Sequence, residues 1–160
     1  MKKPTITIGI AAHNEALSIR QLVDAMCLQR LRNAVIERIL VLSDGSTDGT
    51  EKITRSIHDR RITVYSHSKR MGLAATHNEI ISRSSSDLLV VLDADIVIRD
   101  PLFLEKLINP IVQNRAELTS ASIESLPTRT YVENVLAMSM KLKSILFLKF
   151  NKGNNVYTCY

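Results

Sequence analysis

The sequence predicts an α/β domain with a central, mostly parallel sheet and helices on both faces. Two observations carry that expectation. Apolar strand patterns alternate with amphipathic helix patterns three times, with connections of ordinary length, which calls for parallel strands joined by crossover helices. Polar residues also gather where strands end: Ala12-His13-Asn14-Glu15 after the first, Ser43-Asp44-Gly45-Ser46 after the second, Asp93-Ala94-Asp95 at the end of the fourth. Ligands of open α/β sheets bind in the crevice beyond the carboxyl ends of the strands, so these three segments are expected to meet at one edge.

Thr5 to Ala12 reads as the first strand, and Glu15 to about Arg30 as a helix with Ile19, Leu22, Val23, Met26 and Cys27 on one face. The second strand, Ile36 to Leu42, meets the polar run Ser43-Asp44-Gly45-Ser46-Thr47-Asp48-Gly49-Thr50 and a helix to about His58. Asp48 and Glu51 have capping-box spacing, so part of that run is accounted for by starting the helix. A third strand, Ile62 to Ser66, leads through Lys69-Arg70-Met71-Gly72 into a helix from Leu73 to Arg83. Leu88 to Leu92 is five branched residues in a row, suited to a strand buried on both faces, and it ends in two carboxylates one residue apart. After Pro101 a helix to about Asn114 and a strand around residues 117–123 are expected. Thr130 to Phe150 reads as a core-packing helix, the alternative being a helix lying on a membrane with Lys141, Lys143 and Lys149 toward anionic lipid. Val156 to Tyr160 is strand-like without a closing element, so the expectation is one domain over residues 1–160, a fragment truncated at its C-terminus.

At 160 residues the chain can bury one sizeable core. A hydrophobic share of 45% and a charged share of 23% exclude a disordered chain. The net charge of +5 is a mild bias. Basic residues pair only at Arg60-Arg61 and Lys69-Arg70, with no aromatics between them, which argues against nucleic-acid binding. Two cysteines make no disulfide framework and point to a reducing, cytoplasmic setting. No stretch reaches the eighteen or so apolar residues that span a bilayer.

Taken singly, the polar residues have cheap explanations. Asp44 is placed either to accept a bond from a nucleobase N–H or to form a turn before Gly45. Glu15 reads equally as a first-turn helix acid. His13 and His77 read as surface or packing histidines. Asp93 and Asp95 are hard oxygen ligands placed for a cation and a phosphate, or a solvated turn before Pro101.

Taken together, a strand ending in Ala-His-Asn-Glu, a second ending in SDGSTDGT, a Gly-x-Ala-Ala-x-x-Asn helix start from Gly72 to Asn78, and a fourth ending in Asp-Ala-Asp resemble family 2 nucleotide-sugar glycosyltransferases of the Rossmann-like GT-A fold. The resemblance runs from about Thr5 to Leu107, the donor-binding part, with residues 108–160 beginning the acceptor side. It implies that Ala11, His13 and Glu15 line the nucleoside pocket, that Leu42 and Asp44 contact the base, and that Gly72, Asn78 and Ala94 belong to the donor site. Asp93 would bind the ribose and share with Asp95 a divalent metal, Mg²⁺ or Mn²⁺. The implied reaction moves a sugar from a UDP- or GDP-linked donor to a saccharide or lipid-linked acceptor with inversion, in the cytoplasm or at the inner face of the membrane, in cell-envelope polysaccharide synthesis.

Three positions depart from the family pattern. Ser43 replaces the first Asp of the usual Asp-Asp-Gly-Ser, and His77 stands where Arg is common. The acceptor-side general base has no convincing match before Tyr160; Glu117, Glu124 and Glu133 are candidates by elimination. Two alternatives follow: a non-catalytic nucleotide-sugar binding fragment, or a phosphohydrolase of the haloacid dehalogenase type with Asp93 as nucleophile and Asp95 as acid/base.

Overall fold

The computed structural model describes residues 2–121 and 145–149. In chain order it runs β1 (Thr5–Ala12), α1 (Ile19–Cys27), β2 (Val35–Asp44), α2 (Thr50–Arg55), β3 (Ile62–His67), α3 (Leu73–Arg83), β4 (Leu88–Asp93), α4 (Phe103–Val112), β5 (Leu118–Ala121) and β6 (Ile145–Lys149). The sheet order is β3-β2-β1-β4-β6-β5. β1 pairs in parallel with both β2 and β4, and β2 with β3. β6 is antiparallel to β4 and to β5.

β6 corrects the expected helix over residues 130–150. Its Ile-Leu-Phe-Leu run fits a buried strand as well as a helix, and local periodicity does not separate the two. The open edge of β4 decides: Leu88 to Val91 pair with Lys149 to Leu146, which satisfies backbone groups that an edge strand leaves exposed. The rest of that segment, with Lys141 and Lys143, lies outside the described residues, while Lys149 is the last residue of β6. No described helix is long and apolar enough to cross a membrane.

Strand side chains alternate between faces, and each face is covered differently. Ile6, Ile8, Ile10, Leu88, Val90 and Leu92 point to one side, where Ile19, Leu22, Val23 and Met26 of α1 and Leu104, Leu107, Ile108 and Ile111 of α4 close over them. Each such side chain contributes roughly 1.5–3 kcal/mol on burial. On the other face Ala11, Leu40, Leu42, Leu89 and Val91 pack with Ile80 of α3. Gly9 makes that approach close: a Cβ there would overlap Cγ2 of Ile80. Helices on both faces are thus observed.

Two helix starts differ from expectation. α1 begins at Ile19, not Glu15, because Asn14 is left-handed with φ 56° and the N–H groups of Glu15 and Ala16 are given to Thr50 and Asp48. α2 has no capping box. Gly49, at φ 96°, is its N-cap, Asp48 bonds Ala16 and Thr50 instead, and Glu51 pairs with Arg55 at 2.8 Å.

Candidate functional site

β1 lies between β2 and β4, so the chain leaves it in both directions across the sheet, and the strand ends open a crevice at that switch point. Ala11 is level with Asp93, and Ala12 with Ser43. Period-two alternation puts Leu40, Leu42 and Asp44 in one row and Leu89, Val91 and Asp93 in another, both on the face covered by α3. Each row is apolar below and ends in a carboxylate at the rim. The rim holds a cleft of about 240 Å³ lined by Ala11, Ala12, His13 and Glu15, by Asp44, by Arg70, Leu73 and Thr76, and by Asp93, Ala94 and Asp95.

Asp44 is only 4% exposed. Its Oδ1 accepts hydrogen bonds from the Met71 N–H at 2.7 Å and from Nδ1 of His67 at 2.9 Å, and its Oδ2 accepts from the Gly72 N–H at 2.8 Å. Burial opposes its charge, but the bonds from His67, Met71 and Gly72 outweigh it and hold the carboxyl below its ordinary range. Nε2 of His67 reaches Oε2 of Glu79 at 2.6 Å. With an acceptor at each ring nitrogen, His67 is an imidazolium, and the bonds to Asp44 and then Glu79 raise its pKa. Glu79 is lowered in turn by His67, against burial, with help from Arg83, which also stacks 3.8 Å over the Tyr65 ring.

His13 places Nδ1 2.6 Å from the Asp44 carbonyl oxygen. A carbonyl only accepts, so Nδ1 carries the proton in this contact. Around it the first two loops are stitched together. Asn14 N–H donates to the Ser46 hydroxyl, the Thr47 N–H to the Asn14 side-chain oxygen, and the Ala16 N–H to Asp48. Much of the SDGSTDGT run is therefore spent holding the β1–α1 loop. The Ser43 hydroxyl bonds Ser46 at 2.9 Å within the same turn.

Asp93 is partly exposed at the mouth, and Asp95 is exposed. Among the described residues no three His, Cys, Asp or Glu side chains converge as a metal cage. The cleft thus presents hard oxygen acceptors from three strands and one guanidinium, from Arg70. That combination suits an anionic ligand carrying N–H and hydroxyl donors.

Not every expected residue lines the cleft. Leu42 is fully buried in the layer beneath Asp44, one step down the same row. Asn78 is exposed on α3 outside the lining, and Gly72 takes part through its backbone N–H. The pairing register puts Leu118 level with Leu89 through Leu148, so Glu117 sits about 16 Å down the sheet from Asp93, at the opposite rim. Glu124 and Glu133 lie outside the described residues. The third strand end contributes more than its pattern suggests, with His67 and Arg70; the basic pair Lys69-Arg70 just after that strand was the available signal.

The sequence model of the family described as Glycosyl transferase family 2 matches residues 7–158. The chain belongs to that family. Among relatives of this family 2 domain, glucosyl-3-phosphoglycerate synthase of Mycobacterium tuberculosis is 27% identical over 112 residues, covering 68% of this chain and 34% of the relative. The succinoglycan biosynthesis protein ExoO of Rhizobium meliloti is 25% identical over 155 residues, covering 94% and 43%. Among solved structures, the Pyrobaculum calidifontis mannosyltransferase PcManGT in complex with GDP-Man and Mn²⁺ superposes with a TM-score of 0.65 at 22% identity, covering 93% of this chain and 45% of that one, a likeness of fold. The M. tuberculosis synthase in complex with Mn²⁺, UDP-Glc and phosphoglyceric acid gives 0.60 at 25% identity, covering 72% and 42%. The chain spans about a third to under a half of the length of these proteins. The fold is the Rossmann-like GT-A type. Membership in family 2 removes the ground for the phosphohydrolase alternative, since all four strand-end segments fall within one family match.

Proposed function

We propose that this chain forms the donor-binding side of a metal-dependent glycosyltransferase that takes a UDP- or GDP-linked sugar and passes the sugar, with inversion, to a saccharide or lipid-linked acceptor. The observation that supports the reading best is the meeting of Asp44, Asp93 and Asp95, from two strands on either side of β1, around one cleft. Residues 5–107 would supply the donor contacts.

In this reading Oδ2 of Asp44, which accepts one bond from the Gly72 N–H, keeps capacity for a further bond and takes a base N–H, while His13 and Glu15 form the wall beside it. Asp93 holds the ribose and, with Asp95, a divalent cation, Mg²⁺ or Mn²⁺. The residues fit such an ion: one or two carboxylates with the shell completed by phosphate oxygens and water is how Mg²⁺ is habitually bound. When bound, the cation supplies neutralisation of the charge that gathers on the departing diphosphate. Arg70 adds a fixed positive charge to the same wall and favours the same departure. We assign the base that removes the acceptor's proton to none of the described residues. A cytoplasmic setting, at the inner face of the membrane, goes with this function.

Calorimetry with UDP-glucose and GDP-mannose tests the proposal. Binding of one of them with Mn²⁺, and loss of the metal-dependent part in Asp95→Ala, is expected. No binding of either by the wild-type chain refutes it.

A further inference from the structure

His77 carries a polar atom with no use in the structure. Its Nε2 is shielded from solvent and has no hydrogen-bond partner among the described residues. Such an atom costs free energy unless the working state gives it a partner. The group it faces is Oδ1 of Asp93, 3.8 Å away, with the two side chains 31% and 30% exposed. An N–H···O bond needs about 2.9 Å, so the gap closes with a shift of about 0.9 Å, within reach of a small carboxyl or ring rotation. His77 does not line the cleft, whereas Asp93 does. The imidazole therefore meets the carboxylate from the α3 side, behind the surface a ligand would touch.

We propose that His77 is a positioning residue for Asp93. Its Nε2–H bonds Oδ1 once ligand engages the carboxylate, and this turns the other oxygen, Oδ2, toward the cleft. The neutral imidazole protonated at Nε2 suffices, so no titration is involved. Groups that orient a ligating side chain from behind typically change affinity by 10–100-fold when removed. The inference rests on the proposed role of Asp93 at the nucleotide and its cation.

The test is calorimetry of UDP and GDP with Mg²⁺ on the full chain. His77→Asn draws the donor back from the Nε2 position, while His77→Gln returns an amide N–H close to it. His77→Asn is expected to weaken binding about tenfold, at the lower end of that range, and His77→Gln to restore most of it. In an Asp93→Ala background the same His77→Asn change is expected to have no further effect, because a residue acting through Asp93 has nothing left to act on. Equal affinities of wild type and His77→Asn, or a full tenfold loss persisting without Asp93, overturn the inference while leaving the proposed function in place. Absence of binding by wild type instead overturns the proposed function, and the inference with it.

Discussion

His67→Leu takes away the imidazolium that sits between Asp44 and Glu79. Each charge-assisted hydrogen bond it makes is worth about 1.5–3 kcal/mol. The Asp44 side chain is 6% exposed, so that bond counts near the middle of the range; the Glu79 side chain is 26% exposed and keeps Arg83, so its bond counts at the low end or below. The sum is about 3 kcal/mol of lost stability near pH 6, read as a lower urea midpoint by circular dichroism. The pH dependence follows from the signs. His67 has a raised pKa in the folded chain, so its contribution is whole below the ordinary histidine value of 6.5 and is lost as pH climbs through the raised value. Asp44 and Glu79 are lowered, so theirs is present above the ordinary carboxylate range and is lost as pH falls through the lowered values. Wild type should therefore lose stability as pH rises above about 6.5, with a slope of at most about 1.4 kcal/mol per pH unit, and the variant should stay flatter. Equal slopes in that window, or a penalty under about 1 kcal/mol at pH 6, would refute the reasoning.

Gly9→Ala forces a Cβ into Ile80 and should cost about 1–3 kcal/mol in urea unfolding; Ile80→Ala should then cost less in that background than alone. Gly45→Ala meets both a φ of 63° and the Arg70 backbone nitrogen 2.5 Å from the new Cβ, so it should lower the thermal midpoint and also weaken UDP binding measured by calorimetry. Asn14→Ala removes the acceptor for the Thr47 N–H and a side chain tolerant of φ 56°, and should destabilise by about 1–2 kcal/mol in the same unfolding assay. Asp95→Ala, at the exposed mouth of the cleft, should abolish the gain in UDP affinity that Mn²⁺ confers, read by calorimetry with and without the metal.

The parallel part of the fold was legible because its signals are local. β1 and α3 have the bounds their residues suggest, and the apolar run of β4 ends where its carboxylates begin. β6 was not legible, since five apolar-rich residues become a strand here only through pairing with β4, more than fifty positions earlier. In the site, the strand-end residues of β1 and β4 were readable from position alone. The base contact of Leu42 is implied by the family resemblance alone; in the structure its side chain is fully buried, one step down the same row from Asp44. His67 was missed because its role comes from Asp44 and Glu79, on other elements, and nothing in a lone histidine at a strand end announces two carboxylates. The Asp48–Glu51 spacing misled for a related reason: the β1–α1 loop takes one oxygen of Asp48 through the Ala16 N–H, the other oxygen accepts from Thr50 at the start of α2, and Glu51 pairs with Arg55.

The bonds that tie Asn14, Glu15 and Ala16 to Ser46, Thr47, Asp48 and Thr50 bear on how tightly a ligand can be held. Ordering a loop on association costs on the order of 1 kcal/mol or more per residue, and that cost is subtracted from affinity. Here the chain meets that cost while folding, through bonds already formed between the first two loops. On the proposed function, encounter with the donor would then be closer to a key entering a finished lock than to a clasp that must shut.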